Sequence, residues 1–236
     1  MEMLSDKERI QNLENEVDKL NKKVDKLYKQ MDALIFGIGT IVESRDMNTG
    51  HHVIRTSRCV SVFVQKLLDL DFPGIDKKIA KNIIKAAPLH DIGKIAVTDS
   101  ILQKKGRFTP EEFELMKAHA EAGGKMAYMV LSDIPDERFV QIATNIALYH
   151  HERWDGEGYP KGLSGKEIPL EARIMALADV FDALVSKRCY KEKLSFDDAF
   201  SIITESIGSH FDPELGEIFI SCRSQLEQLY SELFFD

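Results

Sequence analysis

The apolar positions divide this 236-residue chain into two parts. In the first, Met3, Ile10, Val17, Val24, Met31 and Ile38 recur every seven residues, and Leu13, Leu20, Leu27, Leu34 and Ile41 recur in a second register. The registers interleave at spacings of three and four, the a/d seam of a coiled coil. β-Branched residues are common at a and leucine dominates d, which favours a parallel two-stranded assembly. The intervening positions, such as Glu14, Asn15, Glu16, Asn21, Lys22 and Lys23, are polar. Only a narrow stripe can therefore be buried, which favours a dimer seam over a single helix packed on its own domain. After about residue 45 the heptad fades, and glycine, histidine and aromatic residues appear. Helical periodicity recurs around 52–70, 77–89, 110–131, 136–152, 169–187, 196–206 and 213–231. Phe72-Pro73-Gly74, Gly106, Pro135 and the glycine-rich stretch Asp155–Gly165 mark loops. Alternating strand patterns are nearly absent. The pattern predicts an all-α helical domain over 46–236 preceded by an N-terminal coiled-coil helix over 1–45.

Composition adds limits. Apolar residues at 44% and charged residues at 30% fit a globular domain. No apolar run reaches the ~18 residues of a bilayer span, and the polar, acidic start does not read as a signal peptide. Cys59, Cys189 and Cys222 are scattered without metal-type spacing, as expected of reduced thiols. A cytoplasmic location is expected, with no membrane among the partners. The net charge of −8 lacks the basic footprint of a binder of long nucleic acid. It leaves room for a small anionic substrate held by local cations and metal ions.

All seven histidines lie in the second part. Taken singly, each reads as a surface or hydrogen-bonded residue, but their neighbours change the odds. His90-Asp91 follows an apolar helix (Ile83, Ile84, Ala86, Ala87, Leu89) and precedes Ile92-Gly93-Lys94. A carboxylate in apolar surroundings must be paired or metal-bound, and its two oxygens let Asp91 bridge two ions. Gly93 is expected to let the backbone turn closely, and Lys94 to point a cation at a phosphate. His119 lies in a helical run. His150-His151 closes another helix, and their ~100° divergence suits one ion and its neighbour or substrate. Asp179 and Asp182, three apart in Ile174–Asp182, share a face. Mixed imidazole and carboxylate ligands suit iron, manganese, zinc or nickel better than calcium. Two such ions form a clamp for attack of water on phosphorus.

These residues resemble the HD superfamily of metal-dependent phosphohydrolases, and more closely its HD-GYP branch. The resemblance spans roughly 43–217. It rests on Leu89–Ile95 and on the segment His150-His151-Glu152-Arg153-Trp154-Asp155-Gly156-Glu157-Gly158-Tyr159-Pro160, then Asp179–Leu184, Arg188–Lys191 and His210–Pro213. An HD pair alone is a weak signal; the long Gly-Tyr-Pro segment is specific. The resemblance implies an HD-type helical bundle that hydrolyses cyclic di-GMP, or in some members cyclic GMP-AMP, to the linear dinucleotide or GMP. It implies His52, His90, Asp91, His119, His150, His151 and Asp179 as metal ligands. Lys94 resembles a phosphate contact, and Arg188 and Lys191 resemble residues that hold phosphate and guanine. The Gly158-Tyr159-Pro160 loop reads as a shaper of the substrate site, as a surface for a signalling partner, or as a rigid turn.

One departure bears on the metal count. Three-metal members carry a glutamate four residues before the histidine matching His52, and here that position is Asn48. Two divalent ions per chain, iron or manganese, are therefore expected. Asp91 and Lys94 carry the catalytic roles, and Asp182 is assigned to orient water or to help protonate the leaving group. The alternatives are a catalytically weak nucleotide sensor signalling through its coiled-coil homodimer, and a nucleotidase. The intact ligand set argues against the first and the Gly-Tyr-Pro segment against the second.

Overall fold

The computed structural model describes residues 6–46, 51–186 and 193–233. Every regular element among them is helical: α1 (Asp6–Glu43), α2 (His52–Asp69), α3 (Lys77–Ala86), α4 (Asp99–Leu102), α5 (Pro110–Leu131), α6 (Glu137–Tyr149), α7 (Leu170–Val185), α8 (Phe196–Glu205), α9 (Pro213–Ser221) and α10 (Arg223–Leu233). Tight 3-10 turns at Ala87–Leu89 and Ile92–Ala96 carry the His90-Asp91 segment between α3 and α4. No helix among the described residues is long and apolar enough to cross a membrane.

Local chemistry sets the helix starts. Asp76, Thr109, Asp136, Ser195 and Asp212 each accept a backbone N–H of their own first turn, and Thr109 and Glu112 form a full capping box ahead of Pro110. Helix α2 differs. It opens from His51 at φ 67°, which offers no side-chain cap. The Glu43 carboxylate of α1 caps it instead, accepting from His52 N at 2.6 Å and Val53 N at 3.1 Å. The end of α1 therefore fixes the first residue of α2, a predicted metal ligand.

The core is one continuous apolar cluster through α2, α3, α6, α7, α9 and α10. Phe181 packs its ring against Phe200, Phe219 and Tyr230. One expectation meets a different geometry. The periodicity over 213–231 predicts one helix, but the chain turns at Cys222 into two. Leu215, Phe219, Cys222 and Leu226 are all buried, so their spacing stays apolar across the break. Helix α1 also reaches this core. Helix α1 runs unbroken to Glu43, and Ile35, Gly39 and Val42 are buried in the domain. A Cβ on Gly39 would lie 2.3 Å from the Pro88 carbonyl oxygen, so the backbones touch there. The last turns of α1, from Met31 on, thus pack against the helical core. The stripe Ile10, Leu13, Val17, Leu20, Val24, Leu27, Leu34 and Ile41 remains 45–69% exposed.

Candidate metal centre

Five elements bring the predicted ligands together: the start of α2 (His52), the turn after α3 (His90, Asp91), the middle of α5 (His119), the end of α6 (His150, His151) and α7 (Asp179). Asp91, His119, His150 and His151 form one group whose donor atoms lie within 4.8 Å of one another, and His52, His90 and Asp91 form a second. Asp91 belongs to both. Its Oδ1 lies 3.5 Å from His119 Nε2 and 3.8 Å from His150 Nε2, and its Oδ2 lies 3.4 Å from His90 Nε2. Asp179 joins the second group, with Oδ1 3.4 Å from His52 Nε2. All seven predicted ligands described by sequence thus meet in space.

The backbone orients the rings. His90 Nδ1 lies 2.9 Å from the Ala87 carbonyl, His119 Nδ1 2.7 Å from that of Met116, and His150 Nδ1 2.9 Å from that of Ile146. Each bond places the proton on Nδ1 and leaves Nε2 as a lone-pair donor facing the others, the outer-shell arrangement of metal-binding histidines. Asp182 does the same for His52, with Oδ2 2.7 Å from Nδ1. His119 Nε2 and His150 Nε2 are buried and have no hydrogen-bond partner. Such atoms are costly unless something binds them, and a divalent ion supplies what they lack.

Electrostatics agree. Burial holds His119, His150 and His151 below the ordinary imidazole value, and His150 falls to about 3 with the help of the His90 charge. Burial acts on His90 too, but the adjacent Asp91 carboxylate overrides it and raises the ring to about 9. Asp91 is held well below the carboxylate range against its burial, first by Lys94 and then by His90. Neutral imidazoles at His119, His150 and His151, beside the carboxylates of Asp91 and Asp179, make a donor set for a borderline transition metal.

Packing explains the glycine of the motif. A Cβ on Gly93 would fall 1.9 Å from the His119 carbonyl oxygen and 2.4 Å from Gly123 N. Gly93 therefore permits the close seating of α5 that delivers His119, a role beyond the turn expected from sequence. Lys94 Nζ reaches Asp91 Oδ2 at 2.7 Å and Asp46 Oδ2 at 3.1 Å. The centre opens into a cavity of about 110 Å³ lined by residues that include Asp46, His52, Arg55, Lys94, His151 and Asp182. A larger hollow of about 1230 Å³ lies between α1, α2 and α3, without a ligand cluster.

Tyr159 lies over the centre, its ring 4.7 Å from that of His151. The buried Glu152 ties its loop down, accepting from Lys161 N at 2.7 Å and Leu163 N at 3.0 Å. A Cβ on Gly158 would fall 2.3 Å from Arg153 N, so glycine is needed for this close fold-back. Asp182, assigned to proton transfer from sequence, is buried with both oxygens engaged. Arg55 Nε donates to Oδ1 at 2.7 Å, Arg55 Nη2 to Oδ2 at 3.1 Å and Ser186 Oγ to Oδ1 at 3.2 Å, beside the His52 contact. Glu43, Asp46, Arg55 and Glu152 were not singled out in the sequence. Arg55, three residues after His52 among Val53, Thr56 and Val60, carried the one available signal, a cation on an apolar helix face. Arg188, Lys191 and Asn48 lie outside the described residues.

Comparison with known proteins agrees with this geometry. The HD domain family profile matches residues 41–215. A probable cyclic di-GMP phosphodiesterase of Vibrio cholerae is 44% identical over 192 residues, covering 80% of this chain and 43% of the relative. The cyclic di-GMP phosphodiesterase response regulator RpfG of Xanthomonas campestris is 44% identical over 188 residues, covering 80% and 47%. A 3'3'-cGAMP-specific phosphodiesterase of Vibrio cholerae is 38% identical over 187 residues, covering 79% and 34%. The chain thus spans half or less of the length of these relatives. Among solved structures, a cyclic GMP-AMP-specific phosphodiesterase of Vibrio cholerae shares the fold with a TM-score of 0.57 at 20% identity, over 85% of this chain and 50% of the other. The family match over residues 41–215, with relatives 44% identical over most of this chain, shows that it belongs to the HD domain family, in its HD-GYP branch.

Proposed function

We propose that this chain is a metal-dependent phosphodiesterase that opens a cyclic dinucleotide, cyclic di-GMP foremost, to the linear dinucleotide or GMP. The observation that carries this reading is Asp91 shared between two ligand groups, with Lys94 on its outer oxygen. Two divalent ions, iron or manganese, held by His52, His90, Asp91, His119, His150, His151 and Asp179 would polarise the phosphodiester and activate water. The chain's own residues do the rest. Lys94 stands at the cavity wall and can move from Asp46 to a phosphate oxygen as charge develops there. Tyr159 covers His151 and limits water on that side. Arg188 and Lys191 are assigned to substrate phosphate and guanine by their place in the motif. The names of the relatives support the substrate class.

The test is product analysis. Protein purified without oxygen should carry about two ions per chain; three would overturn the count drawn from Asn48. Loaded with Fe(II) or Mn(II), it should convert cyclic di-GMP to linear products. Inert behaviour toward both cyclic di-GMP and 3'3'-cGAMP under every metal would sink the enzymatic reading.

The exposed stripe of α1 supports a homodimer built through a parallel coiled coil. Leu20→Glu with Leu27→Glu in the full chain should turn a dimer into a monomer by analytical ultracentrifugation, with unchanged helicity of the domain. A dimer that survives both charges would place the interface elsewhere.

A further inference from the structure

The cavity at the centre is too small for a cyclic dinucleotide. At about 110 Å³ it admits a phosphate and water, whereas sites that bury nucleotide-sized ligands are roughly 300–1,000 Å³. The bases must lie on surfaces that border the cavity. One border is aromatic. From His151 at the cavity wall, ring contacts run to Tyr159 at 4.7 Å and on to Phe113 of α5 at 6.1 Å. Phe113 then faces a second hollow of about 770 Å³ formed with Gly106, Arg107, Phe108, Thr109 and Pro110.

Phe113 stands outside the buried core. It is 44% exposed and belongs to neither apolar cluster of the domain, while Phe108 beside it packs on Val97, Ile101 and Leu102. Lys117 lies one turn on, with Nζ 5.0 Å from the Phe113 centroid and 5.7 Å from that of Tyr159. Its partner Glu114, 2.6 Å away, is 70% exposed. An ion pair of that kind is weak, so the ammonium can turn to a phosphate.

We infer that Phe113, set edge-on to Tyr159 beside the metal centre, forms a stacking subsite for a purine base of the substrate, with Lys117 as the adjacent cation. The inference rests on the phosphodiesterase reading for the identity of the base-bearing ligand. Stacking on one aromatic ring is worth about 1–3 kcal/mol per base. Removing the ring should therefore weaken purine binding by roughly five- to 150-fold.

The experiment compares the wild-type full chain with Phe113→Ala and Phe113→Trp, all metal-loaded. Calorimetric titration with GMP should show Kd raised at least about fivefold in Phe113→Ala and restored in Phe113→Trp, with inorganic phosphate bound equally by all three. KM for cyclic di-GMP should rise in Phe113→Ala while its metal content stays at the wild-type value. An unchanged Kd for GMP, or an equal loss toward GMP and inorganic phosphate, would overturn the subsite. A wild-type protein that binds GMP through Phe113 but leaves cyclic dinucleotides intact would overturn the substrate and keep the subsite.

Discussion

Replacing Asp91 by alanine is expected to abolish metal loading and phosphodiester hydrolysis together while leaving the helical fold in place. Among the described residues Asp91 alone is common to both ligand groups, so its loss opens both. It also removes the anion that faces His90, His119 and His150. Two ions held a few Å apart would repel, and a shared carboxylate would offset that repulsion. A bound metal supplies several kcal/mol of transition-state stabilisation, so turnover should fall at least about a thousandfold. The fold should persist because Lys94 keeps Asp46 as a counter-charge, and the ring orientations of His90, His119 and His150 depend on backbone carbonyls rather than on Asp91. Metal analysis and circular dichroism on the same preparation check the expectation. A variant that retains about two ions per chain would show that Asp91 is not the bridge.

The sequence disclosed the parts of this centre whose residue types are rare where they occur. A histidine and an aspartate at the end of an apolar helix, and an aspartate inside Ile174–Asp182, have few structural reasons to be there. Their convergence could be anticipated because each lies on a strongly periodic helix or at its end. The residues that stayed hidden are common ones that act over long separations. Glu43 reads as one more glutamate of a charged helix, yet both its oxygens cap α2 and place His52. Arg55 meets Asp182 across 127 positions, a separation no local pattern encodes. Glu152 sits inside a recognised motif, but only the folded loop shows it receiving Lys161 N and Leu163 N. The end of α1 hides a second pattern for a different reason. Beyond Met31 two apolar stripes share one helix, the seam with Leu34 and Ile41 and a second with Ile35 and Val42 that enters the core. A heptad reading follows the first and passes over the second.

Asp182 separates two accounts of the same carboxylate, and Asp182→Asn distinguishes them. If Asp182 transferred a proton or oriented water, the amide would spare folding and metal content and lower turnover alone. The geometry supports a positioning residue instead. Its carboxylate is 1% exposed and saturated by His52, Arg55 and Ser186, with no oxygen left for a substrate. The amide cannot balance the buried Arg55 charge. Breaking one side of a buried ion pair costs about 3–5 kcal/mol, a loss visible as a large drop in Tm. His52 would also lose the acceptor that fixes its tautomer, and outer-shell losses of this kind weaken metal binding by about 10–100-fold. The expected signature is thus a coupled fall in Tm, metal affinity and turnover, with turnover partly recovered at high metal concentration. Turnover lost at full metal occupancy with Tm unchanged would return Asp182 to the chemical step. The same logic ties α1 to the candidate metal centre. Glu43 caps the helix whose first residue is His52, and Asp182 holds that histidine from the other side, so the predicted ligand at the junction of lead helix and domain rests on both.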